Sequence, residues 1–170
     1  MEEIYSMKLG RKIVCIILIL SVVFCGVQEN VFAATSASSI DKCIAKALKK
    51  DYPFQKGNAV TSSRRVFGIS TKDLKSYVAY EKMPGKGANA VEYMYFVGEM
   101  KSKNTVNNNY NKLKSYIQDE GDGMSLYISD KGLKMFDEAK FGKKGNYIWG
   151  FVLKSSSVNK KAEKILKKKI

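Results

Sequence analysis

The stretch Val91–Met100 is apolar or aromatic almost without interruption. Successive residues of a strand point to opposite faces, so Tyr93, Tyr95 and Val97 lie on one side and Met94 and Phe96 on the other. A strand apolar on both faces belongs in the middle of a sheet, covered at least partly on each side. The rest of the chain has to supply its neighbours. Tyr77–Met83 reads as the strand before it, joined through the turn-rich segment Pro84–Asn89. Tyr147–Leu153 is a second strong strand, preceded by a short one at Ala139–Phe141 and the tight turn Gly142-Lys-Lys-Gly-Asn.

The helices are read from spacing. A first helix carries Ile40, Ile44, Ala47 and Leu48 on one face, is capped by Ser39 or Asp41, and stops before Pro53. Residues 55–63 read as loop, and Thr71-Lys-Asp-Leu as a helical turn capped by Ser70 or Thr71. Residues 103–118 place Val106, Tyr110, Leu113 and Ile117 at helical intervals, and Asp119-Glu-Gly-Asp-Gly is expected to end that helix. Ser129 or Asp130 can cap a short helix with Leu133, Phe136 and Ala139. The last helix starts near Ser157, with Val158, Ala162, Ile165 and Leu166 as its apolar stripe. This order predicts an α+β domain: a small antiparallel sheet of three to four strands with helices packed on it, arranged as a two-layer sandwich.

Domain extent follows from the N-terminus. Lys8, Arg11 and Lys12 precede an apolar run from Ile13 to Val27, and Val31-Phe32-Ala33 offers small or modest side chains where a signal peptidase inspects them. Residues 1–33 are therefore read as a secretory signal peptide cut after Ala33, with Met7 as the more conventional start. Residues 34–39 form a small polar linker and residues 40–170 a single basic domain. Two alternatives stand beside cleavage. Residues 13–27 could stay as a membrane anchor, but the run is shorter than the roughly 20 residues a span needs. Cys25 could be lipidated, but Phe24 is a poor residue before an acylated cysteine.

The formal net charge is +14. The first 33 residues hold three basic and three acidic side chains, so the whole excess falls on residues 34–170, with 27 basic against 13 acidic. A uniformly basic exported domain is drawn to anionic wall polymers or anionic lipid surfaces. Export removes intracellular nucleic acid as a partner. The plainer reading is that the lysines keep a small domain soluble. The candidate contacts are Lys160, Lys161, Lys164, Lys167, Lys168 and Lys169 on the last helix, with Lys143 and Lys144 at the turn before the last strand. Such a basic amphipathic helix can lie on an anionic membrane or dock on the sheet with its lysines outward; docking is the expectation.

The chain has no histidine, which excludes Ser-His-Asp and Cys-His nucleophiles and histidine metal sites. It has no phosphate-binding glycine loop and no dinucleotide fingerprint. Ser39-Ile-Asp-Lys42 and Ser157-Val-Asn-Lys160 have the spacing of a serine–lysine pair, but lack the accompanying motifs. Asp119, Glu120 and Asp122 could hold calcium or flank a glycosidic bond; their spacing is not that of an EF-hand, and the overall positive charge opposes a cation. No catalytic, cofactor or metal residue is assigned, and no cofactor is expected. Tyr93, Tyr95, Tyr147 and Trp149 form a candidate aromatic face: a platform for sugar rings or an apolar peptide if open, core if a helix covers it. Cys43 is the one cysteine beyond residue 33, read as a buried small hydrophobe. A monomer is expected, with a Cys43-linked dimer as the alternative.

From Arg65 onward, several features run together: Phe67-Gly-Ile-Ser-Thr-Lys-Asp-Leu-Lys-Ser-Tyr, the strand Val91-Glu-Tyr-Met-Tyr-Phe-Val, and Ala139-Lys-Phe-Gly-Lys-Lys-Gly-Asn-Tyr-Ile before a lysine-rich helix. This pattern resembles the domain of unknown function 4358, found in exported proteins and lipoproteins of Gram-positive bacteria. The resemblance implies a cell-envelope location and a small α+β domain, and brings no activity. The expected role is thus a non-catalytic binding or accessory module. A small envelope enzyme using carboxylate, lysine or tyrosine chemistry, or a peptide- or glycan-binding module with an aromatic face, is the rival.

Overall fold

The computed structural model of the protein describes residues 35–85 and 90–170. The expectations for residues 1–33, namely the signal peptide, the anchor at 13–27 and lipidation at Cys25, lie outside these. The chain from Ala34 to Ile170 forms one compact unit. In order it runs α1 (Ala37–Leu48), β1 (Arg65–Val66), β2 (Ile69–Ser70), β3 (Leu74–Lys82), β4 (Tyr93–Met100), α2 (Val106–Gly123), α3 (Asp130–Asp137), β5 (Lys140–Lys144), β6 (Tyr147–Val152) and α4 (Ser156–Lys167).

The fold is α+β, with an antiparallel four-stranded sheet in the order β3-β4-β6-β5. β4 lies between β3 and β6, where its two apolar faces require it to be. Val97 pairs with Val78 and Trp149, and Phe96 with Ala79 and Gly150. The alternation sorts the core into two parts. Tyr95, Val97, Tyr147, Trp149 and Phe151 pack with Ile40, Ile44 and Leu48 of α1 and Val158, Ala162 and Leu166 of α4. Met94, Phe96, Ile148 and Val152 pack with Val106, Leu113 and Ile117 of α2 and Met135 of α3. Helices therefore cover both faces. The class matches the sequence reading, but there are three layers rather than two, because a pair of strands apolar on both sides leaves neither face fit for water.

Several boundaries differ from the sequence reading for local reasons. α1 begins at Ala37, inside the expected linker, because Ser36 caps it by accepting from the Ser39 amide. Ala37 is fully buried, and its own amide donates to Ser76 Oγ at 3.2 Å. α2 runs through Asp119–Gly123 instead of ending there. Gly121 is used for close approach: a Cβ on it would come within 2.8 Å of the Phe136 ring, so this glycine admits α3 rather than stopping α2. β1 and β2 form a small hairpin within a stretch that sequence left without strands. Its turn places Phe67 and Gly68 at φ 46° and 74°, the left-handed pair that tight hairpins favour. Phe67 is held there by stacking on Tyr116, with centroids 5.3 Å apart.

The edge strand β5 is thin where Gly142 stands opposite Trp149. The indole lies across that glycine, and a Cβ at Gly142 would fall within the Trp149 ring. Gly142→Ala should therefore destabilise the domain by about 2 kcal/mol or more, since Trp149 is wholly buried and has little room to shift. Urea titration of the variant against the parent measures this.

Candidate functional site

Three polar constellations stand out against the core. The first is the lysine surface expected from sequence. α4 buries Val158, Ala162 and Leu166 against the sheet, and Lys160, Lys161, Lys164, Lys167, Lys168 and Lys169 are all exposed. The helix docks, as amphipathic spacing requires, and its cations face outward. The β5–β6 turn brings only one of its two lysines to this surface. Lys144 Nζ donates to the carbonyls of Lys167 at 3.3 Å and Ile170 at 2.7 Å, offsetting the negative end of α4. Lys143, one residue earlier, belongs to the other side, where it donates to Asn107 Oδ1 and sits 5.0 Å from the Tyr110 ring centroid. Lys167 is already engaged by Glu163 at 3.0 Å and lies over the Trp149 ring.

The second is a carboxylate under the aromatic cluster. Asp41 points from α1 into the core rather than capping the helix. Tyr52 donates to its Oδ1 at 2.6 Å and Tyr80 to its Oδ2 at 3.4 Å. The Tyr95 hydroxyl is buried beside it, without a hydrogen-bond partner within geometric reach among the described residues. Burial raises the Asp41 pKa, against the opposing pull of the tyrosine hydroxyls. Burial and the adjacent Asp41 push the Tyr52 phenol well above its ordinary value. Around this group the rings of Tyr52, Phe54, Tyr80 and Tyr95 lie edge-on, tilted or stacked at 5.3–6.2 Å. Tyr95 and Trp149 are fully buried, Tyr147 nearly so, and Tyr93 half-buried. Of the four residues read as a candidate aromatic face, Tyr95, Tyr147 and Trp149 thus belong to the cluster packed by α1 and α4, while Tyr93 stands half-buried between Phe54 and Lys82. They build core, and the open platform for sugar or peptide is not formed.

The third constellation was not visible in sequence. Glu81 of β3, Glu92 just before β4, and Glu120 of α2 each bring a carboxylate oxygen within 4.8 Å of the other two. Strand pairing explains the convergence. Glu81 is opposite Met94, and Glu92 is two residues before it, so both face α2. Glu120 is one helical turn beyond the buried Ile117. Glu92 is completely buried, and among the described residues neither of its oxygens meets a hydrogen-bond donor. Its pKa is pushed up to about 8, first by burial and then by the charges of Glu81 and Glu120. Burial and Glu81 also raise Glu120, and burial together with the three carboxylates raises Tyr116. Of the acidic segment singled out in sequence, only Glu120 joins this group. A carboxylate in phase with the buried side of an apolar strand was the available signal.

Other expectations resolve simply. Ser39 bonds Ser36 and Ser157 bonds Ser155, and neither meets the lysine three residues on. Among the described residues Cys43 is unpaired, and it is half-buried, more open than a small core residue would be. An open groove of about 520 Å³ between α2, α3 and β5 takes Asp122 and Asp137 into its wall but none of the expected lysines or aromatics. Among the described residues no helix is long and apolar enough to cross a membrane. Comparison with protein-family models, with characterised proteins and with solved structures finds no match.

Two predictions follow from the buried carboxylates. Between about pH 4.5 and 8 the folded state keeps a proton on Glu92 that the unfolded chain has released. The native state then binds more protons, and stability falls as pH rises through that window. Glu92→Gln removes the titration, so its thermal midpoint should exceed the parent's at the alkaline end and vary less with pH in melts across the window. Tyr52→Phe leaves Asp41 Oδ1 without its short hydrogen bond and should cost about 1–3 kcal/mol by urea denaturation.

Proposed function

We propose that this chain is an exported, non-catalytic binding domain that associates with anionic polymers or lipid of the cell envelope through the outer face of α4. The observation that carries the reading is the run of six exposed lysines, four on α4 and two just past its end, where the apolar stripe of the helix is already used against the sheet. These cations are not needed for docking, and most have no acidic partner: among the described residues only Lys167 on this helix forms an ion pair. Lys144 extends the row at the end of α4. A docked helix of this kind touches its target through charge alone and inserts no apolar face. The attraction should therefore be long-ranged and sensitive to salt. The likeness to domain of unknown function 4358 agrees with an envelope setting, and the signal-like N-terminus supplies the route to it.

A hydrolytic role finds less support. Acid–base chemistry on a substrate requires carboxylates that the substrate can reach, and Glu92, the most perturbed carboxyl, is closed off. The buried aromatic rings likewise weigh against a glycan platform.

The test is retention on isolated cell walls and on anionic vesicles over a salt series. Binding is expected at about 0.05 M salt and should be lost by about 0.5 M, where screening shrinks to a few ångströms. Replacing Lys160, Lys161, Lys164 and Lys168 together by Gln should weaken retention at least about tenfold, at roughly 1 kcal/mol per lysine near an anionic surface. Far-ultraviolet circular dichroism should be unchanged, since all four side chains are exposed. Retention independent of salt, or absent at low salt, would overturn the reading.

A further inference from the structure

The cluster of Glu81, Glu92 and Glu120 calls for an account that the lysine surface does not provide. Three elements distant in sequence each deliver one carboxylate to one point, all within 4.8 Å. Thirty lysine and arginine side chains are present in the chain. Yet among the described residues the ion pairs are Lys75–Glu99, Lys154–Asp51 and Lys167–Glu163, none of which involves this cluster. Glu92 stands at its buried end, with neither oxygen meeting a donor among the described residues. A buried carboxylate costs free energy unless it is paired, protonated or bound to a metal. Its position beside two other carboxylates makes the cost larger.

We propose that Glu81, Glu92 and Glu120 form a binding site for a hard divalent cation, of which calcium fits best. The donors are all oxygen, the set that calcium, magnesium and manganese prefer over softer metals. Calcium accepts flexible oxygen geometries, whereas magnesium demands a near-ideal octahedron, so three carboxylates brought together from separate parts of the chain suit calcium the better. The ion would tie β3, the entry to β4 and the C-terminal half of α2 at a single point. Glu81 and Glu120 are half-buried and leave an approach from solvent, while Glu92 supplies the inner ligand. The positive charge of the domain opposes entry, but charges more than about 10 Å away are largely screened at ordinary salt, whereas three carboxylates at contact distance are not.

The experiment is calorimetric titration and thermal melting of the purified protein with calcium, magnesium or manganese chloride at about pH 7. Calcium should raise the thermal midpoint in a saturable way. Glu81→Gln and Glu120→Gln should each weaken calcium binding about tenfold or more. Glu92→Gln, nearly the same shape and free of the buried charge, should remain folded and lose the calcium response, which separates loss of the site from loss of the fold. The site does not depend on the lysine-surface reading, because wall or vesicle retention is measured with the cluster intact. No saturable shift with any of the three ions up to about 10 mM, an order above the weakest extracellular calcium sites, would overturn the proposal. So would an equal response in the Glu92→Gln variant.

Discussion

The pairing of β4 with β6 is the interaction on which the remainder of the domain depends. Every residue of β6 and seven of the eight in β4 are buried, and their side chains alternate between two separate hydrophobic clusters. Neither sheet face can be left to water, so helices must be laid on both. α1 and α4 cover the face of Tyr95, Trp149 and Phe151, and α2 with α3 covers that of Met94, Phe96 and Ile148. With both faces occupied, the outer helix surfaces and the sheet edges are what remains to meet a partner. The lysines of α4 are placed there by the same packing that hides the aromatics.

Two-sided burial also determines how polar groups inside the domain are treated. Asp41 enters the core from α1 and is met by tyrosine hydroxyls that need a hydrogen-bond partner themselves, so carboxylate and phenols satisfy one another. Asn159 of α4 is similarly used: its Oδ1 accepts from the Leu153 amide and its Nδ2 donates to the Glu138 carbonyl, binding the helix start to the end of β6. Among the described residues Glu92 has no comparable partner. The contrast between two buried carboxylates in one domain, one satisfied and one not, is why the second points beyond the protein's own atoms.

Local patterning made much of this legible. The alternation in Val91–Met100 placed the central strand, and the spacing of Val158, Ala162, Ile165 and Leu166 placed α4 and turned its lysines outward. Misreadings arose where a residue served a distant contact. Gly121 looked like a helix stop because its use is to admit the Phe136 ring from α3, a contact across 15 positions. Asp41 looked like a cap because Tyr52 and Tyr80 are not its neighbours in sequence. Glu81, Glu92 and Glu120 meet only through the register of β3 with β4 and the crossing of α2, neither of which the sequence states. The layer count was missed for a related reason: the two-faced strand was recognised, but which helix takes which face depends on connection geometry.

Trp149 is the chain's sole tryptophan, and its surroundings give it a further consequence. The indole lies over Gly142 of the edge strand, packs within the cluster shared by α1 and α4, and has the Lys167 ammonium 5.7 Å from its ring centroid. Its emission colour is thus an inbuilt gauge of whether the basic helix stays seated. If α4 meets an anionic surface as a rigid part of the domain, the gauge does not move. If the helix peels away to lie on that surface, the ring loses its cover and its spectrum shifts to the red, so one unlabelled side chain separates two modes of contact.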